Sequence, residues 1–189
     1  LSQGDPLLRW QWALRNDILP AGRISPDGSL LLQQDSPILW DLVRLRPHPL
    51  DVDGVKEVVF SADSQYMWLK NGDKSWIANR ERVLDSWDGL RDVQFADAGG
   101  LLATQSNAGL VSLLRHDRER NEFRAIRSWS ENQPTGMKLS ADGRSLMLLG
   151  PQPELWTAPE GDWTRARRYP LGRQGAMEAW FDGEWLYFR

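Results

Sequence analysis

The sequence has no cysteine, only two histidines and only four lysines. Without cysteine there is no disulfide framework, no thiolate metal site and no cysteine nucleophile. No stretch approaches the ~18 apolar residues of a membrane span. Membrane contact is therefore expected only through a segment outside this sequence. No basic start leads into an apolar run, so no signal peptide is read. The chain opens on Leu1-Ser2-Gln3 rather than on methionine, which reads as a piece cut from a longer protein. The 26 acidic and 23 basic side chains give a net charge of −3, which argues against a general nucleic-acid binder. Glycine-rich phosphate loops are absent, and no cofactor is expected.

What is present is repetition. The segment Ile24-Ser25-Pro26-Asp27-Gly28-Ser29-Leu30 returns as Phe60-Ser61-Ala62-Asp63-Ser64-Gln65-Tyr66. It returns again as Phe95-Ala96-Asp97-Ala98-Gly99-Gly100-Leu101 and as Leu139-Ser140-Ala141-Asp142-Gly143-Arg144-Ser145. A shorter copy is Phe181-Asp182-Gly183-Glu184-Trp185. Each copy ends one apolar strand, turns on Ser, Asp and Gly, and starts another, which is a hairpin signature. The turn positions Gly28, Ser64, Gly99, Gly143 and Gly183 are spaced by 36, 35, 44 and 40 residues. That is near the ~40–45 residues of a four-stranded propeller blade.

A third strand sits at a fixed offset. Trp40 and Trp76 lie 12 residues after Gly28 and Ser64, Val111 lies 12 after Gly99, and Trp156 lies 13 after Gly143. A more polar fourth strand follows near Leu45–Leu50, Arg82–Asp85, Glu122–Ile126 and Arg167–Leu171. Charge there discourages pairing between exposed edges.

These hairpins, followed about a dozen residues later by Leu-Trp or Ser-Trp, resemble the repeats of WD40-like, YVTN-like and TolB-like β-propellers. Leu39-Trp40-Asp41 is similar to a Trp-Asp blade ending. No Gly-His dipeptide precedes a blade, and Asp41 is the only Asp after a blade-ending Trp, so the likeness is to degenerate bacterial repeats. The resemblance implies an all-β fold, a β-propeller of four-stranded antiparallel blades, with about four full blades and a partial fifth. The blades are expected over residues 18–50, 55–87, 90–129 and 136–171, with 176–189 joined by 7–14. The alternating stretch Leu7–Leu14 either completes the last blade of a small closed ring, or both ends are cut edges of a larger propeller. Closure or pairing with a second copy is preferred, since open blade edges invite self-association.

Candidate functional residues are few. Trp40, Trp76 and Trp156 are expected to pack between blades. Trp87, in Ser86-Trp87-Asp88, and Trp129, in Ser128-Trp129-Ser130, are read as loop residues that could anchor a partner. Glu57 and Asp92, each three residues before a strand-ending Phe, could point into the channel as a carboxylate pair. His48 lies between two prolines. His116 lies in Arg115-His116-Asp117-Arg118 and is read as part of a solvated charged loop. Neither histidine has metal spacing, and no Gly-x-Ser-x-Gly elbow supports a serine triad. Asp51-Val52-Asp53-Gly54 opens like a calcium loop, but position 12 is Ala62, so no metal is expected. Arg165-Ala166-Arg167-Arg168 is neutralised by Glu160 and Asp162 beside it.

The leading expectation is therefore a non-catalytic platform, not an enzyme, that binds a protein partner or another domain of its parent chain. A ligand-sensing or accessory domain of a bacterial envelope or regulatory protein, cytoplasmic or periplasmic, is the alternative. A propeller hydrolase is the third reading, disfavoured by the low histidine count.

Overall fold

The structure, a computed structural model, describes residues 22–33, 37–97, 99–130, 134–172, 179–182 and 185–188. Four antiparallel four-stranded sheets follow one another, each with its strands in sequence order. The first holds β1 (Gly22–Ile24), β2 (Leu30–Gln33), β3 (Ile38–Asp41) and β4 (Arg46–Pro49). The second holds β5 (Glu57–Phe60), β6 (Tyr66–Asn71), β7 (Lys74–Asn79) and β8 (Val83–Asp88). The third holds β9 (Leu90–Phe95), β10 (Leu101–Ser106), β11 (Val111–Asp117) and β12 (Glu122–Trp129). The fourth holds β13 (Gly136–Leu139), β14 (Ser145–Leu149), β15 (Glu154–Thr157) and β16 (Arg167–Pro170), with two 3₁₀ turns between β15 and β16. Strands β17 (Ala179–Asp182) and β18 (Trp185–Phe188) pair as a two-stranded sheet. The fold is the expected β-propeller, with four complete blades and two strands of a fifth. Leu7–Leu14, and with it the question of ring closure, lies outside the described residues.

The hairpin between the first two strands is built alike in three blades. In blade four, Ser140 Oγ donates to Asp142 Oδ1 at 2.7 Å and accepts from Ser145 N at 2.9 Å, while Asp142 Oδ1 accepts from Arg144 N at 3.0 Å. Ser25 with Asp27, and Ser61 with Asp63, make the same bonds. The serine caps the first amide of the next strand and the aspartate closes the turn, so these residue types recur for a local hydrogen-bonding reason. Blade three has Ala96 at the serine position and keeps only the backbone bonds, Ala96 N to Leu101 O and Gly99 N to Ala96 O, both 2.9 Å. The turn position is left-handed throughout, with φ of 71° at Gly28, 56° at Ser64, 63° at Gly99 and 69° at Gly143.

These turns touch their neighbours around one end of the propeller. Asp27 N donates to Ser64 Oγ at 3.2 Å, and Arg80 pairs with Asp27 at 2.7 Å. A Cβ on Gly99 would sit 2.4 Å from Asp63 Oδ1, and one on Gly143 would sit 2.7 Å from Leu101 Cδ2. Asp97 N donates to Ala141 O at 2.7 Å. Each turn thus seats against the preceding blade.

The core lies between blades rather than within one. Leu30, Leu32, Leu39 and Leu50 of the first blade region pack with Val55, Met67, Leu69, Trp76 and Ala78. Trp68 and Ile77, on the opposite face of the second blade, pack with Leu90, Val93, Leu102, Leu114 and Phe123. Ala103, Val111, Leu113 and Trp129 pack with Met137, Leu139, Leu146, Leu148 and Trp163. Side chains alternate across a strand, so a middle strand with neighbours on both faces must be apolar at every position. Tyr66-Met67-Trp68-Leu69 and Leu101-Leu102-Ala103 read that way. Each fully buried leucine removed from water contributes roughly 1.5–3 kcal/mol. The fourth strands face out, and β4 and β16 are exposed along their whole length.

Two amides join blade three to blade four near the axis. Gln94, on β9, donates from Nε2 to Met137 O at 2.9 Å and accepts at Oε1 from Leu139 N at 3.1 Å. Buried Gln105 donates to Pro134 O at 2.6 Å. A single residue, Gly89, links β8 to β9. Its N–H donates to Asp73 O in blade two and its carbonyl accepts from Asn107 N in blade three, both at 2.7 Å.

Two stability predictions follow from the turns. Gly28→Ala meets no atom within 4 Å, whereas Gly143→Ala drives a methyl into Leu101. Gly28→Ala is expected to cost about 1–2 kcal/mol from positive φ alone, and Gly143→Ala clearly more, read from urea midpoints. Equal losses would mean that the blade contact at Gly143 carries no energy. The second prediction concerns acid. Burial opposes ionisation of Asp27 and Asp142, but hydrogen bonds outweigh it and hold both carboxyls below the ordinary carboxylate value, Asp27 well below it. For Asp27 the bonds come from Ser29, Ser25 and Ser64, and for Asp142 from Ser140 and Arg144. Their stabilisation is complete above the unfolded pKa of about 3.9 and is lost as the pH falls below it. The thermal midpoint should drop through this acid range, and Asp142→Asn should flatten the drop. Asp85, raised by burial, works in the opposite direction.

Candidate functional site

The residues singled out in the sequence do not gather in one place. Trp87 and Trp129 are strand residues, on β8 and β12, and not loop residues as expected. Trp129 is only 7% exposed, which corrects its reading as a surface anchor. Its ring packs edge-on against Trp156 and Trp163, at 63° and 81°, with centroids 5.5 and 6.2 Å away. The Arg127 guanidinium lies 4.4 Å over Trp156 and 5.6 Å over Trp129. Trp87 is half-buried beside the core between blades two and three. Glu57 is exposed on β5 opposite Lys70, and half-buried Asp92 accepts from Gln94 Nε2 at 3.1 Å. No hydrogen bond joins the two carboxylates. His48 reaches the Glu81 carbonyl and ties β4 to the next blade. Asp53 lies in the inter-blade loop and pairs with Lys74 at 3.5 Å. Among the described residues no three His, Asp or Glu side chains cluster as metal ligands.

His116 is the principal revision. It lies on β11, half-buried, and not in a solvated loop. Its neighbours Arg115 and Arg118 are exposed, and alternation along the strand turns His116 inward. Phe123 stands opposite it on β12 and Tyr66 reaches it from the neighbouring blade. The three rings form a triangle with centroids 5.2 to 5.3 Å apart.

The triangle has a polar edge. Tyr66 O–H meets His116 Nδ1 at 2.9 Å, and His116 Nε2 meets Asn121 Oδ1 at 3.1 Å. An amide oxygen only accepts, so Nε2 carries the imidazole proton and Nδ1 accepts from the tyrosine. Burial raises the Tyr66 pKa, with the Asp63 charge acting the same way and the Arg118 charge opposing it. The phenol therefore holds its proton in neutral solution. Asn121 is held in place by its turn. It sits at φ 54°, after Asp117 Oδ1 has accepted from Glu119 N and Arg120 N.

Tyr66 and His116 line a cleft of 480 Å³ between blades two and three, with Asp63, Gln65, Asn79, Gly100, Leu101, Arg115 and Arg118 around them. The clefts beside Trp87 and Trp129 hold 230 and 220 Å³. Only the first of these three reaches the roughly 300–1,000 Å³ of small-molecule sites. Asp63 spends its carboxylate on Ser61 and Gln65 inside the turn, whereas Arg118 stays at the rim.

A second repeated device escaped the sequence reading. Asp41 Oδ1 accepts from Val43 N and Arg44 N, and Asn79 Oδ1 accepts from Glu81 N and Arg82 N. Asp117 does the same one blade later. The signal was an Asp or Asn every 38 residues, at 41, 79 and 117. It was hidden because only Asp41 follows a tryptophan.

No family model matches the sequence, and no curated protein matches it. Solved structures do match. A candidate 6-phosphogluconolactonase of Bacteroides fragilis superposes with a TM-score of 0.51 at 13% identity, over 82% of this chain and 53% of its own. Another, of Bacteroides uniformis, gives 0.52 at 11% identity, over 81% and 53%. The periplasmic gluconolactonase of Pseudomonas aeruginosa gives 0.50 at 16% identity, over 90% and 56%. The chain spans just over half the length of these three. They carry gluconolactonase names rather than WD40 or TolB ones, and the expectation of a chain that is not an enzyme is withdrawn on that finding. At these identities the likeness establishes the architecture: the chain has the β-propeller fold of those proteins.

Proposed function

We propose that the chain belongs to a propeller hydrolase that opens sugar lactones. The observation that carries this reading is the superposition of 81–90% of the chain on three propellers with gluconolactonase names. It takes the place of the non-catalytic platform expected from the sequence. The chemistry of the cleft between blades two and three is compatible with it. Opening a cyclic ester requires one proton to leave the attacking water and one to reach the ring oxygen. Histidine and tyrosine in hydrogen-bond contact are side chains suited to such transfers near neutral pH.

The test is direct. Purified protein is mixed with glucono-δ-lactone near neutral pH, and acid release is followed against the spontaneous rate. Saturable acceleration proportional to protein is expected. A rate equal to buffer at micromolar protein removes the reading.

A further inference from the structure

We infer that Tyr66, His116 and Asn121 form a proton relay that serves ester opening in the cleft between blades two and three. This inference rests on the lactone reading and assigns the step to particular atoms. Tyr66 and His116 both line the cleft, and the Tyr66 oxygen retains a lone pair while its hydrogen is directed to His116 Nδ1. Asn121 stands behind His116.

The relay runs in two balanced steps. The water oxygen forms a bond to the lactone carbonyl carbon, whose π pair moves onto the carbonyl oxygen, and gives one proton to the Tyr66 oxygen. The original Tyr66 proton moves to His116 Nδ1. The imidazolium that results keeps its Nε2–H on Asn121 Oδ1. The oxyanion pair then re-forms the carbonyl, the carbon–oxygen bond of the ring breaks and its electron pair stays on the ring oxygen. His116 returns its proton through Tyr66 to that oxygen, which becomes the hydroxyl of the product. The acid formed loses its remaining water proton to solvent, and Arg118 at the rim faces the new carboxylate. Tyr66 and His116 end as they began.

A purely structural trio would look similar at rest, since aromatic packing and two hydrogen bonds also stabilise a blade interface. Each substitution must therefore separate rate from stability. Tyr66→Phe keeps the ring contacts with Phe123 and deletes one oxygen. It is expected to lower kcat by about 100-fold or more, with KM little changed, because positioned acid–base groups contribute about 10²–10⁴-fold. Asn121→Gly is compatible with the left-handed backbone at that residue and removes the acceptor. It should lower kcat by a smaller factor, about 10-fold. Thermal midpoints are measured on the same preparations, and kcat is referred to folded protein. If Tyr66→Phe hydrolyses the lactone as fast as the parent, the relay is overturned while the lactone reading stands. If the midpoint falls but kcat per folded molecule does not, the trio is structural and the relay is likewise overturned. If the parent protein is inactive on lactones, both proposals fall together. His116→Gln adds a third arm, and should it fail to fold, Tyr66→Phe still decides.

Discussion

The second strands of the four complete blades have no exposed residue, and the rest of the molecule follows from that constraint. Met67 and Leu69 are pressed against blade one while Trp68 between them is pressed against blade three. One strand therefore belongs to two cores, and moving its register by a single residue would exchange every side chain between them. A lone blade would leave both sets in water. Stability in such a stack is shared between neighbours and grows as interfaces are added. The polar devices serve the same end. The Ser–Asp turns fix where β2, β6 and β14 begin, and Gln94 and Gln105 fasten inner strands whose edges have no strand beyond them.

The division between what the sequence revealed and what it hid follows the same line. Local chemistry was legible. Ser25 with Asp27, Ser61 with Asp63 and Ser140 with Asp142 bond within five residues of themselves, so their pattern repeats in the chain as it does in space. The polar fourth strands and the central tryptophans were legible for the same reason. Contacts between blades were not. Tyr66 and His116 are 50 residues apart, and nothing around either residue names the other. His116 sits in a charged string that reads as loop until β11 is known to alternate. Trp129 flanked by serines reads as exposed, yet its ring fills the space left by Val111, the one third-strand position without tryptophan. Ser112 and Ser128, beside them, pair at 2.9 Å.

The candidate site is assembled from the parts that hold the blades together. The turn that carries Asp63 seats Gly99 and also forms one wall of the cleft. The backbone bond from His116 N to Gly100 O, at 2.9 Å, sets the depth of the imidazole. The Asx turn at Asp117 places Asn121. A hydrolytic group placed on such supports is rigid before substrate arrives, which is the condition for a proton to move over short, fixed distances. The same economy lets the proposed hydrolase stand beside a low histidine count. One imidazole is enough where the scaffold already orients its donor and its acceptor.

Gly89 has a mechanical consequence. It is a spacer one residue long, gripped by Asp73 on one side and Asn107 on the other, so blades two and three share a hinge pin with no slack. Any twist of one is passed to the other through the two peptide groups that flank Gly89. The connection from β4 to β5 is longer, residues 50–56, and is held instead by burying Leu50 and Val55 in the core between blades one and two. A propeller joined in this way is tied by backbone across the Tyr66–His116 gap and by side chains one gap earlier.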